Sequence, residues 1–92
     1  MKKVVLKGYV LVPESDLDAV MNELPNHIAN TQSEEGCLVF SVVQDNLNKN
    51  QLNVYEEFID DVTFNNHQKR VSSSTWGAIS ENCQRHYEIS EQ

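Results

Sequence analysis

Residues 27–40, HIANTQSEEGCLVF, decide the fold, because a helix ends within this stretch, a glycine turns the chain and a strand begins. His27 lies on the predicted helix and Gly36 makes the turn. Beyond the glycine, the hydrophobic period changes from that of a helix to the alternation of a strand. Two later segments, VYEEF (54–58) and FNNHQKRV (64–71), supply the side chains that we expect to meet this stretch.

Alternating apolar residues predict strands at 3–12, 37–43 and 51–59, and a short last strand around Tyr87 and Ile89. The polar tail that follows is expected to fray. The first two strands carry large apolar groups on both faces, so a second layer is expected to cover the face that the helices leave open. In so small a domain, an identical subunit packed sheet to sheet is the expected cover.

Helical spacing predicts a first helix that Ser15 caps and a second helix that Asp60 or Asp61 caps, with a short helical piece around Trp76. The resulting order is strand, helix, strand, strand, helix, strand. This order is that of the ferredoxin-like, split βαβ fold. The predicted fold class is therefore α+β, with both helices on one face of an antiparallel sheet.

Length and composition limit the classes of function. The 92 residues form one predicted domain, 1–92, and the formal net charge of -7 argues against binding of nucleic acid or of an anionic membrane. No apolar run approaches the roughly 20 residues that span a bilayer, and no signal peptide is recognised, so a cytoplasmic protein is expected. Cys37 and Cys83 show no metal-like spacing, and both are expected to be reduced.

Glu56 is the most informative polar residue, because it shares a strand face with Leu52, Val54 and Phe58. A carboxylate in an apolar row is costly unless it is paired or neutral. We therefore expect either a raised pKa or a hydrogen-bonded partner, and both states suit a general acid or base. A strand-edge glutamate that reaches water or forms an ion pair is the alternative interpretation.

His27 and His67 are the next candidates, since each lies on or beside the buried stripe of a helix and could move a proton near neutral pH. A core histidine satisfied by a backbone carbonyl is the alternative for each. Tyr55 could donate a hydrogen bond from the strand face opposite Glu56, although it could also be a packing residue. The carboxylates of Glu34 and its neighbour in sequence are expected to be solvated.

Three aromatic residues could line a pocket for a flat apolar ligand, or could simply belong to the core: Phe40, Phe64 and Trp76. The three glycines are dispersed, so no glycine-rich nucleotide loop is present. Neither a paired-histidine metal motif nor a cysteine nucleophile signature occurs. An enzyme with this sequence is therefore expected to work without a metal and without a tightly bound cofactor.

The combined pattern resembles the antibiotic biosynthesis monooxygenase (ABM) domain family, and within it the small stand-alone quinol monooxygenase type. The resemblance covers residues 4–89 and includes VLKGYVLVPESDLDAV, VYEEFID and HQKRV. Its central motif, H-x-x-x-T-x-x-E-x-G-C-L-x-F, is formed by His27, Thr31, Glu34, Gly36, Cys37, Leu38 and Phe40. The resemblance implies a homodimeric α/β barrel of two ferredoxin-like subunits, each with a pocket between sheet and helices. It also implies functional roles at His27, Tyr55, Glu56 and His67.

The resemblance favours a cofactor-independent monooxygenase that acts on a quinol- or anthrone-like aromatic substrate with dioxygen. A base, Glu56 or a histidine, would deprotonate the substrate so that the anion can pass an electron to dioxygen. Two alternatives stay open. One is an isomerase of a small phosphorylated carbonyl compound, to which Lys7 and Arg70 could contribute, and the other is a non-enzymatic dimeric ligand-binding protein.

Overall fold

The fold is built on a four-stranded antiparallel sheet, seen in a computed structural model that describes residues 2–92. Met1, which the predicted domain 1–92 includes, lies outside the described residues. The strands are β1 (Val4–Leu11), β2 (Cys37–Gln44), β3 (Gln51–Phe58) and β4 (Gln84–Glu91), in the spatial order β2-β3-β1-β4. The helical segments are a short 3-10 helix (Glu14–Asp16), α1 (Leu17–Gln32), α2 (Asp61–Ser72) and α3 (Thr75–Ile79). The chain thus has the predicted α+β, ferredoxin-like fold.

One face of the sheet forms the hydrophobic core with the helices. Leu6 pairs with Glu56, which in turn pairs with Phe40, so these three side chains form one row across β1, β3 and β2. The helices contribute Val20 from α1 and Trp76 from α3 to the same buried cluster. A carboxyl group therefore occupies a position that the neighbouring strands fill with apolar side chains.

The opposite face of the sheet is uncovered in the single chain. It carries a set of partly exposed apolar side chains: Tyr9, Val39, Val43 and Tyr55. Val43 is 58% exposed, whereas Val42 beside it is 9% exposed on the helix-covered face. The prediction that both faces of the sheet carry large apolar groups is therefore confirmed.

Two local predictions are wrong. Ser15 does not cap the first helix; it lies in the 3-10 helix, and α1 begins after Asp16, whose side chain makes no capping hydrogen bond. The last strand is eight residues long rather than short, and its end is tied down, because Lys3 and Gln92 exchange backbone hydrogen bonds of 2.9 and 2.8 Å. Ladder hydrogen bonds do not depend on apolar side chains, so pairing along β1 orders this polar segment.

Gly36 makes the turn between α1 and β2 and has a backbone φ of +85°. A Cβ atom there would lie 2.5 Å from the side chain of Thr63, so both the backbone conformation and the close packing favour glycine. The end of β3 also meets this turn, because Ile59 N donates to Gly36 O at 2.8 Å. Asp60 then caps α2 as predicted, with its carboxylate accepting from Thr63 N at 2.8 Å. The turn that ends α1 therefore also positions the start of α2.

Replacing Gly36 with Ala is expected to lower the free energy of unfolding by about 2 kcal/mol or more, because the added Cβ meets Thr63 and a positive φ is costly for a residue with a side chain. Chemical denaturation followed by circular dichroism measures this change. Glu35→Ala, at the neighbouring exposed position, is the control and is expected to change stability by less than about 0.5 kcal/mol. Equal stabilities of the two variants would contradict the prediction.

Candidate active site

Glu56 lies on the helix-covered face of β3, and its side chain is 8% exposed. Its Oε1 atom is buried without a hydrogen-bond partner, and the nearest basic atom, His67 Nε2, lies 3.7 Å away, too far for a hydrogen bond. Burial, together with the negative charge of Glu34, raises the pKa of Glu56 to about 7. The carboxyl group therefore changes protonation near neutral pH, as a general acid or base requires.

His67 faces two carboxyl groups with its two ring nitrogens. Nδ1 lies 2.8 Å from Glu34 Oε2, and because an ionised carboxylate only accepts hydrogen bonds, Nδ1 carries the proton of the neutral ring. Nε2, which then has the free lone pair, is the nitrogen on the Glu56 side. Burial lowers the pKa of His67, while the Glu34 carboxylate acts in the opposite direction. His67 can therefore accept a proton at Nε2 and share the resulting charge with Glu34.

Glu34 is not the solvated residue that the sequence analysis predicts. Its side chain is 16% exposed, and its Oε1 accepts from Arg70 Nε while its Oε2 holds His67. Arg70 also donates to the hydroxyl of the fully buried Thr31 at 3.2 Å. The prediction fails because these partners come from α2, which no local pattern around Glu34 reveals. Glu34 thus links the turn after α1 to two side chains of α2, His67 and Arg70.

His27 stacks against Trp76, with ring centroids 4.4 Å apart and planes within 3° of each other. It also meets Phe40 edge to face at 5.3 Å. Burial, and then the positive charges of His67 and Arg70, lower the pKa of His27 to about 3, so the ring is neutral at ordinary pH. Its Nδ1 atom is buried, and residues 2–92 offer it no hydrogen-bond partner. The alternative interpretation, a core histidine that bonds to a backbone carbonyl, therefore does not hold for Nδ1 of His27.

A cavity of about 240 Å³ lies between the sheet and the helices α2 and α3. The polar and aromatic residues that line it include His27, Glu56, His67, Trp76, Arg85 and Tyr87. Burial raises the pKa of Tyr87 to about 12, so its hydroxyl stays protonated and can donate a hydrogen bond. The fold therefore brings three of the predicted catalytic residues and one predicted substrate-binding residue to a single cavity.

Three other predicted site residues lie elsewhere. Tyr55 is on the outer face of β3, where its hydroxyl donates to Glu57. Phe64 is buried and packs against Phe58, with ring centroids 5.8 Å apart, so it belongs to the core between α2 and β3. Phe40 borders a small adjoining cavity of about 20 Å³. Tyr55 and Phe64 are thus not brought together with the residues of the larger cavity.

Arg85 and Tyr87 are the cavity residues that the sequence analysis misses. Tyr87 pairs with Gly8 and Arg85 pairs with Val10, so both lie on the helix-covered face of the sheet. The available signal is the alternation R-x-Y-x-I over residues 85–89. Polar neighbours on both sides conceal part of this alternation, so only a short strand around Tyr87 and Ile89 is predicted and Arg85 is not recognised as facing inward.

Residues 2–92 contain no group of three His, Cys, Asp or Glu side chains that could hold a metal ion. In the same part of the chain, no helix is long and apolar enough to cross a membrane.

Cys37 and Cys83 are both free thiols, in agreement with the predicted reduced state. Burial raises the pKa of each thiol, which disfavours the reactive thiolate.

A family model described as antibiotic biosynthesis monooxygenase matches residues 4–78. The chain belongs to this family. The match includes His27, Glu56, His67 and Trp76 but ends before β4, so two cavity residues of this ABM domain lie beyond it. The family membership implied by the sequence resemblance is therefore confirmed. No curated protein sequence matches the chain.

Solved structures similar to this ABM domain cover almost the whole chain. A conserved protein of unknown function from Bacteroides thetaiotaomicron, called a possible oxidoreductase, is 18% identical, with a TM-score of 0.82 over 99% of this chain and 98% of that chain. A candidate antibiotic biosynthesis monooxygenase from Nitrosomonas europaea is 14% identical, with a TM-score of 0.78 over 99% of this chain and 88% of that chain. A conserved protein from Methanosarcina mazei is 25% identical, with a TM-score of 0.72 over 100% of this chain and 92% of that chain. These similarities show a shared fold.

Glu56→Gln is expected to change how the stability of the domain depends on pH. The folded-state pKa of about 7 exceeds the ordinary value of 4.5, so ionising this buried carboxyl destabilises the folded chain, and stability is lost as the pH rises through this window. Glutamine cannot ionise, so the variant should gain stability relative to the wild type across the window, by up to about 3 kcal/mol. Urea denaturation of both proteins at about pH 5 and about pH 8 measures the difference.

Glu57→Gln is the matched control for this experiment, because Glu57 is the next residue but lies on the outer face. Hydrogen bonds from Tyr55 and Lys3 lower its pKa, so its replacement should give no gain as the pH rises. A stability difference between the wild type and Glu56→Gln that stays constant with pH would show that the Glu56 carboxyl is not held in an apolar environment.

Proposed function

We propose that the protein is a cofactor-independent monooxygenase that oxidises a quinol- or anthrone-like aromatic substrate with dioxygen. The observation that carries the proposal is the buried carboxyl group of Glu56, which lacks a hydrogen-bond partner and titrates near neutral pH inside a cavity. A buried polar atom without a partner is costly, so its presence here points to a ligand that completes its hydrogen bonding. Membership of the antibiotic biosynthesis monooxygenase family supports an oxygenation reaction.

In the first step, Glu56 removes the hydroxyl proton of the bound quinol. His67 Nε2, 3.7 Å from Glu56 Oε1, takes over this proton when the gap closes, and Glu34 at Nδ1 balances the charge that forms on the ring. A second depression, of about 410 Å³, lies on the far side of His67 and is lined by Glu34 and Arg70. The proton therefore has a route from the cavity to solvent through His67.

In the second step, the deprotonated ring is electron-rich enough to pass one electron to dioxygen. The substrate radical and the superoxide then combine to a ring peroxide, which loses water and leaves a hydroxylated quinone. One oxygen atom enters the product and the other leaves as water, so the quinol supplies all the electrons and no other reductant is consumed. The protein contributes proton transfer, positioning and an apolar enclosure.

Tyr87 is the best-placed donor for the oxyanion that develops on the substrate. Its hydroxyl remains protonated because burial raises its pKa to about 12, and it lines the same cavity as Glu56. This is the role that the sequence analysis predicts for Tyr55, whose hydroxyl is on the outer face. The neutral ring of His27, stacked on Trp76, adds a second polar group to the aromatic wall.

Oxygen uptake by the purified protein with a panel of reduced quinones tests the proposal. The wild type is expected to consume oxygen well above the rate of autoxidation. Glu56→Gln and His67→Ala are each expected to lower the enzymatic rate by about 100-fold or more, the usual contribution of a positioned acid–base group. Glu57→Gln is the matched control, since it removes a carboxyl from the opposite strand face and is expected to retain the activity.

Uptake no faster than autoxidation would contradict the oxygenase. Exchange of solvent deuterium into a phosphorylated ketose, without oxygen uptake, would indicate the isomerase instead. Neither cation that the sequence offered for a phosphate lies free in the cavity, because Lys7 is exposed on the outer face and Arg70 is bound by Glu34. If both variants keep the activity of the wild type, or if the wild type shows neither activity, the ligand-binding protein is favoured.

We also propose that the protein is a homodimer in which two sheets pack face to face as an α/β barrel. The outer face of the sheet exposes Tyr9, Val39, Val43 and Tyr55 in the single chain. Several partly exposed apolar side chains on one face of a sheet are typical of a surface that a partner covers. A second copy packed on it would bury this face and leave the helices on the outside of the barrel.

Static light scattering at micromolar concentration is expected to give twice the chain mass of 10.5 kDa. Val43→Asp is expected to shift the protein toward the monomer, because an unpaired charge buried in the interface is costly. Val62→Asp is the control, since Val62 is similarly exposed but lies on α2. A monomeric wild type, or a Val43→Asp dimer as stable as that of the control, would contradict the proposed interface.

A further inference from the structure

Arg85 is a cation at the cavity that no acidic side chain balances. Its two terminal guanidinium nitrogens donate to the carbonyl oxygen of Ser80 at 3.3 Å and to the Ser80 hydroxyl at 2.7 Å. Ser80 is fully buried, and its hydroxyl in turn donates to Trp76 O at 2.6 Å, so the end of α3 holds the guanidinium in place. Within residues 2–92, Arg85 forms no ion pair, in contrast to Arg70, which Glu34 binds.

Two other residues of the cavity each have a polar atom that makes no hydrogen bond. Glu56 Oε1 and His27 Nδ1 are both buried and both lack a partner. Arg85, by contrast, belongs to the edge strand β4 and is the most exposed of the charged lining residues. The cavity is therefore lined by two residues that each have a buried polar atom without a partner and by one exposed cation without an ion pair. A ligand with a hydroxyl at one end and an anionic group at the other satisfies all three.

The volume of the cavity limits the size of this ligand. A dry protein cavity of about 150 Å³ holds one benzene molecule. The cavity of about 240 Å³ therefore accommodates a single ring with a few substituents, whereas a three-ring anthrone needs more space. The stacked rings of His27 and Trp76 form a flat wall against which one aromatic ring can lie.

We propose that the cavity binds a single-ring hydroxylated aromatic acid, with the ring hydroxyl on Glu56 and His27 and the carboxylate on Arg85. The inference rests on the proposed function, because it names the substrate class of the same site: a quinol that carries a carboxylate. A guanidinium matches a carboxylate in geometry as well as in charge. The net charge of -7 provides no general attraction for anions, so recognition of the carboxylate depends on this local cation.

Isothermal titration calorimetry with the three monohydroxybenzoate isomers and their uncharged, nearly isosteric amides tests the proposal without turnover. At least one hydroxybenzoate is expected to bind the wild type about tenfold or more tightly than its amide, as a charged hydrogen bond predicts. Arg85→Gln is expected to abolish this preference, so that the acid binds no more tightly than the amide, while Arg85→Lys retains part of it. Lys49→Gln, which removes a cation from a surface pair with Glu14, is the control and should bind like the wild type.

Several outcomes would overturn the proposal: no binding of any probe, an acid that binds no more tightly than its amide, or a preference that survives in Arg85→Gln. The comparison of acid with amide on the wild type does not depend on the folding of a variant, since only the ligand changes. An Arg85-dependent preference in a protein that consumes no oxygen with a dihydroxybenzoate would refute the oxygenase and retain the binding site. Oxygen uptake with uncharged quinols, in a wild type that binds no hydroxybenzoate more tightly than its amide, would do the reverse.

Discussion

A carboxyl group buried in an apolar sheet is the constraint on which the site depends. Glu56 stands in the row that β2 and β1 fill with Phe40 and Leu6, where an ionised group loses most of its hydration. The surroundings do not offset this cost, since Oε1 has no partner and His67 Nε2 stays 3.7 Å away. The carboxyl group therefore holds its proton up to a pH of about 7. The poor solvation that destabilises the ionised carboxylate of Glu56 thus also makes this carboxylate a stronger base.

Charge in the site is arranged in two layers. The outer layer is the pair of Glu34 and Arg70, which is ionised and satisfied, and which reaches the cavity only through His67. The inner layer consists of His27, which is neutral, and Glu56, which is partly ionised near neutral pH, because burial shifts the pKa of each toward the uncharged form. Interactions inside such an enclosed region are stronger than in water. A hydroxyl group can therefore enter in its neutral form, and its proton then moves to the carboxylate of Glu56 and on toward His67, whose charged form the outer layer stabilises.

Periodicity in the sequence was sufficient for the order of elements and for Glu56, His27 and His67, because each stands out against apolar neighbours on the same strand or helix. It could not reveal Glu34, whose partners on α2 are 33 and 36 residues further along the chain. It underestimated the length of β4, predicted as a short strand around Tyr87 and Ile89, because backbone pairing with β1 also orders the polar residues on either side. Tyr87 was placed on that strand, but its position at the cavity was not predicted.

The position of β4 couples the cavity to the completion of the sheet. This strand pairs with β1, the first strand in the chain, and it carries Arg85 and Tyr87. Pairing of these two strands closes a loop that contains most of the chain. It joins the strands that are farthest apart in the sequence, so its cost in chain entropy is high. A chain whose β4 has not docked, or has come loose, exposes the edge of β1 and lacks one wall of the cavity. Capacity to bind a ligand thus requires that β4 is docked on β1, and a bound ligand would hold the two ends of the chain together.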